Sequence, residues 1–160
     1  MAGPADIVGN TDDPPLVRRL RPFAELGTAE VAALRALGEP LRLAAARTTL
    51  LAQGESAGTA ILLQEGWAIR HRTLVDGRRQ VLDFVVPGDL CDPSSFVLPR
   101  RDFAITAITR VAYALVQPAD VLELLAGSSR LGALLWWLEA QEEHFTRAHL
   151  VAVGRLSAHE

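Results

Sequence analysis

The sequence contains no lysine and only one cysteine, Cys91. A single cysteine excludes an internal disulfide, a cysteine-ligated zinc site and a cysteine-ligated iron–sulfur cluster within one chain. It is typical of a reducing compartment, and we expect a cytoplasmic protein. The N-terminus lacks the basic-then-apolar order of a signal peptide, and no apolar run approaches the roughly 18–20 residues of a membrane-spanning helix, so we expect no membrane partner.

The charge balance excludes a further class of partner. Sixteen arginines stand against 19 acidic residues, which gives a net charge of −3 at pH 7. We therefore do not expect the chain itself to hold DNA through a bulk electrostatic field. The 160 residues, of which 49% are hydrophobic, are enough for one domain with a buried core.

Three zones follow one another along the chain. Residues 1–14 are rich in glycine, proline and aspartate and are predicted to be a flexible leader. Residues 15–127 contain short apolar runs with helical patterns at either end, and are predicted to form one domain. Residues 128–160 are predicted to form a long helix, capped by Ser128 or Ser129.

Turn signals divide the middle zone into short strands. Glycines stand in turn contexts at regular intervals: Gly54, Gly66, Gly77 and Gly88. Asp76-Gly77 predicts a hairpin with a type I′ turn, and Pro87-Gly88 predicts a type II turn. A further strand pair is predicted at 103–108 and 110–116. This spacing favours a mainly β fold with helices, an antiparallel β sandwich or jelly roll flanked by short helices and followed by the long helix.

The long helix carries a heptad pattern. Its apolar positions repeat with 3-4 spacing, and the predicted seam consists of Leu131, Leu135, Leu138, Glu142, Phe145, His149, Ala152 and Leu156. Such a seam predicts that the helix pairs with a second copy in a homodimer. Glu142 and His149 would each face their own copy, so this stretch is expected to be splayed or solvated. The alternative is a helix whose inner half packs on its own domain while its outer half is only amphipathic.

An ordered series of motifs resembles a known family. The motifs are Leu50-Leu51-Ala52-Gln53-Gly54-Glu55, Ile61-Leu62-Leu63-Gln64-Glu65-Gly66-Trp67, Asp76-Gly77-Arg78-Arg79-Gln80 and Val86-Pro87-Gly88-Asp89-Leu90. By their order and spacing, the chain from about Phe23 onward resembles the sensor domain of Crp/Fnr-type transcription regulators, in the cyclic-nucleotide-binding-like superfamily. The resemblance implies a jelly roll, a long helix that pairs in a homodimer, and a helix-turn-helix domain that follows it.

No helix-turn-helix pattern occurs in the 160 residues. We therefore expect DNA contact only through a domain that this chain lacks. The chain is either the sensor half of a longer regulator or a stand-alone module. By the resemblance, a signal would shift the segment 92–103 against the long helix near 131–138, and the helix pair would re-aim whatever follows it.

The resemblance also locates a candidate ligand site, and there the sequence departs from the family. Nucleotide-binding members carry a Gly-Glu pair for the ribose hydroxyl and then an Arg-Ser/Thr-Ala run for the phosphate. Here Asp92 or Pro93 replaces the Gly-Glu pair, Arg101 matches the phosphate arginine, and Asp102 replaces the hydroxyl residue. We therefore predict no cofactor, do not expect cyclic AMP, and leave open an unknown small-molecule effector. The candidate ligand residues are Asp92, Ser94, Ser95, Arg100, Arg101 and Asp102.

Two further expectations concern this segment. Asp92-Pro93 is a good helix start, in which the carboxylate of Asp92 would cap the amides that a phosphate needs. Alternatively, Arg100 or Arg101 pairs with Asp102 or Asp92 at the surface, which stabilises the fold little. Cys91 is expected to be a small core residue.

An enzyme is the rival class. Metal-dependent cupins are also jelly rolls, but they need clustered histidines, commonly His-x-His on one strand. Position 73, two residues after His71, is a threonine, and the other three histidines lie on the long helix. We predict no catalytic residue and no metal site, with a cupin-type enzyme as the alternative. If the neighbouring Arg70 and Arg72 point to solvent, His71 points inward, and it is then expected to be a hydrogen-bonded core histidine.

Overall fold

The computed structural model describes residues 12–155, without the side chains of Ser94, Ser95 and Arg155. Most of the predicted leader, and Leu156 of the predicted seam, lie outside the described residues. The helices are α1 (Pro15–Leu20), α2 (Thr28–Leu37), α3 (Pro118–Gly127) and α4 (Ser129–Arg155), with a 3-10 helix at Pro93–Phe96. The strands are β1 (Arg42–Ala44), β2 (Thr49–Leu51), β3 (Ala60–Glu65), β4 (Ala68–Thr73), β5 (Arg79–Val85), β6 (Leu90–Cys91), β7 (Ala104–Ala107) and β8 (Val111–Val116). No helix in the described part is long and apolar enough to cross a membrane.

The eight strands form two antiparallel sheets of four. One sheet has the order β1-β8-β3-β6 and the other has the order β2-β7-β4-β5. The predicted antiparallel jelly roll is confirmed. The strands predicted at 103–108 and 110–116 are present as β7 and β8, but they do not pair with each other: β7 pairs with β2 and β4, and β8 pairs with β1 and β3 in the other sheet.

Strand β3 is buried on both faces. Its first four residues are 0% exposed: Ala60, Ile61, Leu62 and Leu63. Because successive side chains of a strand point to opposite faces, Ile61 and Leu63 join the core between the sheets. Ala60 and Leu62 join a second core, which is formed with the helices. The sheet that contains β3 is therefore the middle layer of the domain.

The predicted turns lie where the glycines indicated. All four turn glycines have φ between 80° and 95°, the left-handed region that glycine adopts without strain. The amide of Asp89 donates to Val86 O at 3.0 Å, as the predicted type II turn requires. The type I′ prediction for the β4–β5 hairpin is wrong. It needs positive φ at both central residues, and in that pair only Gly77 has it.

The first half of α4 packs on its own domain. Leu131, Leu134 and Leu138 are 1%, 6% and 7% exposed, and they lie in the core that α1 and α2 line. Ser128 Oγ accepts from the amide of Leu131 at 3.3 Å, so Ser128 is the cap. Glu30 of α2 bonds both Ser128 and Arg130, and its hydrogen bond with Arg130 is the main reason that its pKa falls to about 2. The beginning of α4 is therefore anchored.

This packing involves several residues of the predicted dimer seam. Leu131 and Leu138 are already buried within one chain, and Leu135 packs partly against the same core. Glu142 bonds Arg19 of α1, while Phe145 is 62% exposed. The inner leucines of the seam therefore pack in the core of their own domain, and the pairing of α4 with a second copy stays a prediction.

Leu62 is buried on the helix side of β3 and Leu122 is exposed on α3, so their replacement should change the free energy of unfolding by very different amounts. Leu62→Ala leaves a cavity in a fully buried site and should lower the free energy of unfolding by about 2–5 kcal/mol. Leu122→Ala on α3, where the side chain is 66% exposed, should change it by less than about 0.5 kcal/mol. Urea unfolding followed by circular dichroism measures both, and equal effects would contradict the double-sided burial of β3.

Candidate functional site

Two of the candidate ligand residues form a buried ion pair. Arg101 Nε donates to Asp92 Oδ2 at 2.9 Å, and the two residues are 8% and 3% exposed. Arg101 Nη1 donates to Ser56 O at 2.6 Å, and Nη2 donates to Thr59 O at 2.8 Å. All three nitrogens of the guanidinium are therefore engaged inside the chain. The arginine–aspartate pairing was expected at the surface, and its burial corrects that expectation.

The backbone around Asp92 explains the geometry. Asp92 directly precedes the 3-10 helix that begins at Pro93, where a helix start is predicted, but its φ of 70° is left-handed and not the extended conformation typical of an N-cap. Its carboxylate meets Arg101, which in turn holds the loop at 56–59 through two carbonyl groups. The ion pair thus joins the segment after β6 to the loop before β3.

The other candidate ligand residues are dispersed. Arg100 is exposed, and its Nη1 donates to Gly54 O at 2.9 Å. Asp102 is exposed and lines a cavity described next. The side chains of Ser94 and Ser95 lie outside the described part of the structure.

A cavity of about 560 Å³ lies between the second sheet and the outer half of α4. The roll contributes residues of β4, β5 and the loop before β7: Arg70, Gln80, Val81, Leu82, Asp83, Leu98, Asp102 and Phe103. The helix contributes Thr146, His149, Leu150 and Val153. One wall is therefore the β roll, and the other is α4.

An ion pair lies in the roll wall of this cavity. Arg70 Nη1 lies 3.1 Å from Asp83 Oδ2, and the guanidinium carbon lies 4.9 Å from the centre of the Phe103 ring. Arg70 Nε and Asp83 Oδ1 are buried and have no hydrogen-bond partner within the described residues. The ion pair therefore leaves one donor and one acceptor without a hydrogen bond among the described residues.

A bulge between β4 and β5 accompanies this pair. Arg70 is opposite Asp83 while the next residue, His71, is opposite Val81, so Leu82 is the additional residue. Such bulges re-aim side chains. The condition that both arginines face solvent is consequently not met at Arg70, although Arg72 is exposed.

Charged groups of both signs act on Asp83 in the cavity wall. Burial raises the pKa of Asp83, Arg70 opposes that rise, and Glu142 adds to it. Burial also raises the pKa of Glu139 on α4. Arg19 of α1 pairs with Asp89 and also lies 3.2 Å from Glu142 Oε1, so one guanidinium links α1, the Pro-Gly-Asp turn and α4.

Two residues weighed as chemical candidates belong to the core. Cys91 is 0% exposed, and burial raises its pKa to about 12, so at neutral pH it stays a protonated thiol of low reactivity. His71 is 3% exposed, and its Nε2 lies 2.9 Å from Thr106 Oγ1. Both predictions of a structural role are confirmed.

The residues present do not fit a cyclic phosphate. The guanidinium of Arg101 is buried with all three nitrogens engaged, and Asp102 places a carboxylate beside it in sequence. Arg70, the permanent cation in the cavity wall, is paired with Asp83. A phosphate would have to break a half-buried or buried ion pair, which leaves a carboxylate without its cation.

The sequence reasoning missed Arg70 and Asp83. Strand alternation alone does not reveal them, because the bulge changes the register between them. The signal that could have found them is composition: two opposite charges interrupt the apolar strands on either side of the predicted hairpin. Within residues 12–155 no group of three or more His, Cys, Asp or Glu could hold a metal ion, so the cupin alternative gains no support there.

Solved structures share this fold. The chain superposes on the catabolite activator protein of Thermus thermophilus with a TM-score of 0.69 and 21% identity, covering 87% of this chain and 62% of that one. The N-terminal domain of a transcriptional regulator from Streptomyces coelicolor gives a TM-score of 0.61 and 28% identity, with coverages of 78% and 89%. The sensor domain of the regulator DNR from Pseudomonas aeruginosa gives a TM-score of 0.62 and 17% identity, covering 89% of this chain and 93% of that one.

A family assignment comes from the sequence itself. A search of the curated proteins finds no match. The family model for the cyclic nucleotide-binding domain matches residues 41–128, which is more than half of the chain. This match covers all strands of the roll, α3 and the ion pairs Arg101–Asp92 and Arg70–Asp83. The chain therefore belongs to the cyclic nucleotide-binding domain family.

Proposed function

We propose that the chain is the sensory and dimerisation domain of a cytoplasmic, Crp/Fnr-like transcription regulator. In this proposal it passes a signal to a DNA-binding domain that the 160 residues do not contain. The family assignment and the transcription regulators among the similar structures support the proposal. The observation that carries it is the cavity with the β roll as one wall and α4 as the other.

The outer half of α4 is suited to move. The inner half is fixed by buried leucines and by Glu30, whereas Phe145, Leu150 and Val153 are 62%, 71% and 60% exposed. An occupant of the cavity would therefore act on the part of α4 that has the least packing of its own. A helix with one anchored half and one loosely held half is the kind of two-position element that switching requires.

Filling the cavity from the roll side tests this coupling. Val81→Trp places a large ring in the cavity wall, and we expect faster or slower amide hydrogen exchange in α4 residues 143–155, measured by mass spectrometry. Val75→Trp is the matched control, because Val75 is fully exposed at the tip of the same hairpin. Unchanged exchange of 143–155 in Val81→Trp would show that the cavity and the helix are not coupled.

The proposed signal is not a cyclic nucleotide. Arg101 is the position where the family resemblance implies a phosphate contact, and here it is used to hold Asp92 and the loop at 56–59. In this proposal Arg101 is a structural residue, and the effector binds elsewhere in the roll or has another chemistry.

A pair of neighbouring arginines distinguishes the two roles. Arg101→Met leaves Asp92 as a buried charge without its cation and should lower the free energy of unfolding by about 3–5 kcal/mol. Arg100→Met removes one exposed hydrogen bond and should change it by less than about 0.5 kcal/mol. If Arg101→Met is as stable as the wild type but abolishes cyclic AMP binding seen in the wild type, Arg101 is a ligand residue and this proposal is wrong.

The dimer is proposed along a different stripe of α4 from the one first predicted. Trp137, His144 and Val151 are seven residues apart, are exposed, and lie on another side of the helix from the buried Leu131 and Leu138. Gln141 and Ala148 complete a 3-4 repeat with them. A helix with this spacing can pair with its copy while the leucines remain in the core. We therefore propose a homodimer through the stripe Trp137, Gln141, His144, Ala148 and Val151.

Charge placed on that stripe should separate the protomers. Val151→Glu would bring two carboxylates together in a symmetric helix pair, and the dissociation constant of the dimer should rise at least about tenfold. Val75→Glu, at the exposed hairpin tip, should leave the dimer unchanged. Sedimentation velocity at micromolar concentration measures all three proteins. A monomeric wild type, or a Val151→Glu variant that dimerises normally, would refute the stripe.

A further inference from the structure

We propose that the cavity between the roll and α4 binds a small organic cation with an apolar body, such as a protonated arylalkylamine, and rejects anions. The inference rests on the proposed sensory function, and it names the chemistry of the effector. It is carried by the shape of the cavity, by its lining and by the ion pair in its wall.

Size and lining indicate the body of the ligand. The volume of about 560 Å³ lies within the range of roughly 300–1,000 Å³ that small-molecule sites occupy. Apolar side chains supply both walls: Val81, Leu82, Leu98 and Phe103 from the roll, and Leu150 and Val153 from α4. A flat ring system with a short side chain would bury its apolar surface against both walls at once.

The charges of the lining indicate the sign of the ligand. Three charged side chains line the cavity, and two of them are acidic, Asp83 and Asp102. The positive one, Arg70, is held by Asp83 on one side and by the ring of Phe103 on the other. His149, Gln80 and Thr146 are the remaining polar side chains. Glu142 adds negative potential at Asp83 from the neighbouring turn of α4.

The ion pair leaves two buried atoms without a hydrogen-bond partner among the described residues: Arg70 Nε, a donor, and Asp83 Oδ1, the acceptor that a cation would use. Asp83 Oδ2 faces Arg70, but Asp83 Oδ1 is buried and accepts no hydrogen bond within the described part of the chain. An ammonium group donates up to three hydrogen bonds and would satisfy this oxygen with a charge-assisted bond. An anion would need Arg70 for itself, and it would leave Asp83 half-buried without its cation.

The experiment uses three probes that share an indole ring and differ in charge. Tryptamine is a cation, tryptophol is neutral and indole-3-acetate is an anion. Ligand-observed NMR with the complete chain at neutral pH measures their dissociation constants, with cyclic AMP as a second anion. We expect tryptamine to bind at least tenfold more tightly than indole-3-acetate, with tryptophol between them and no binding of cyclic AMP.

Three substitutions test whether Asp83 and the cavity are responsible for the preference for tryptamine. Asp83→Asn should reduce the preference for tryptamine over tryptophol to less than about twofold, whereas Asp76→Asn should preserve it, because Asp76 is an exposed partner of Arg78 in the hairpin turn. Val81→Trp fills the cavity without changing its charge and should abolish binding of all three probes, which keeps the test valid if Asp83→Asn does not fold.

Several results would overturn the inference: no binding of tryptamine at millimolar concentration, equal or tighter binding of either anion, or an unchanged preference in Asp83→Asn. Binding that survives in Val81→Trp would place the amine site elsewhere and would also overturn it. These results are separable from a failure of the proposed function, because the coupling of the cavity to α4 and the dimer stripe are both measured without ligand.

Discussion

Everything else in this domain is arranged around β3, a strand that must be buried on both faces. Its alternate side chains fill two separate cores, one between the sheets and one under the helices. A sheet that is apolar on both faces needs cover on both, which the second sheet and the helices provide. The helices are therefore part of the hydrophobic core, because they cover the second face of β3. The first half of α4 is part of the hydrophobic cover of β3, and its direction is fixed by that role.

The same constraint divides α4 into two parts with different tasks. Up to Leu138 the helix belongs to the core, and beyond it the helix extends along the second sheet with exposed apolar side chains. The cavity lies where this extension passes β4 and β5, so in the proposed function an event in the roll would act on a segment whose beginning is anchored in the core. Arg19 adds an electrostatic tie near the boundary between the two parts, since it contacts both Asp89 and Glu142.

Much of the fold follows from short-range signals. Glycines in turns, the Asp76-Gly77 hairpin and the Ser128 cap are local, because the backbone conformation itself selects those residues. The site was less predictable. The positions of Arg70 and Asp83 depend on a bulge that no pattern of residues announces, and the depth of the Arg101–Asp92 pair depends on tertiary packing. The helix pattern was ambiguous for a different reason: residues seven apart form stripes on two sides of α4, and only the tertiary packing shows that Leu131 and Leu138 of one stripe are buried in the core.

The Arg101–Asp92 pair also bears on how this scaffold could be re-engineered. Replacing the acidic residues near Arg101 would not be enough to install nucleotide recognition. The guanidinium of Arg101 already bonds Asp92 and the loop at 56–59. The loop at 56–59 would first need an independent support, and a second cation would have to be introduced. If Arg101 were replaced first, Asp92 would be left as a buried charge without its cation, so the order of the substitutions would decide whether the fold stays stable.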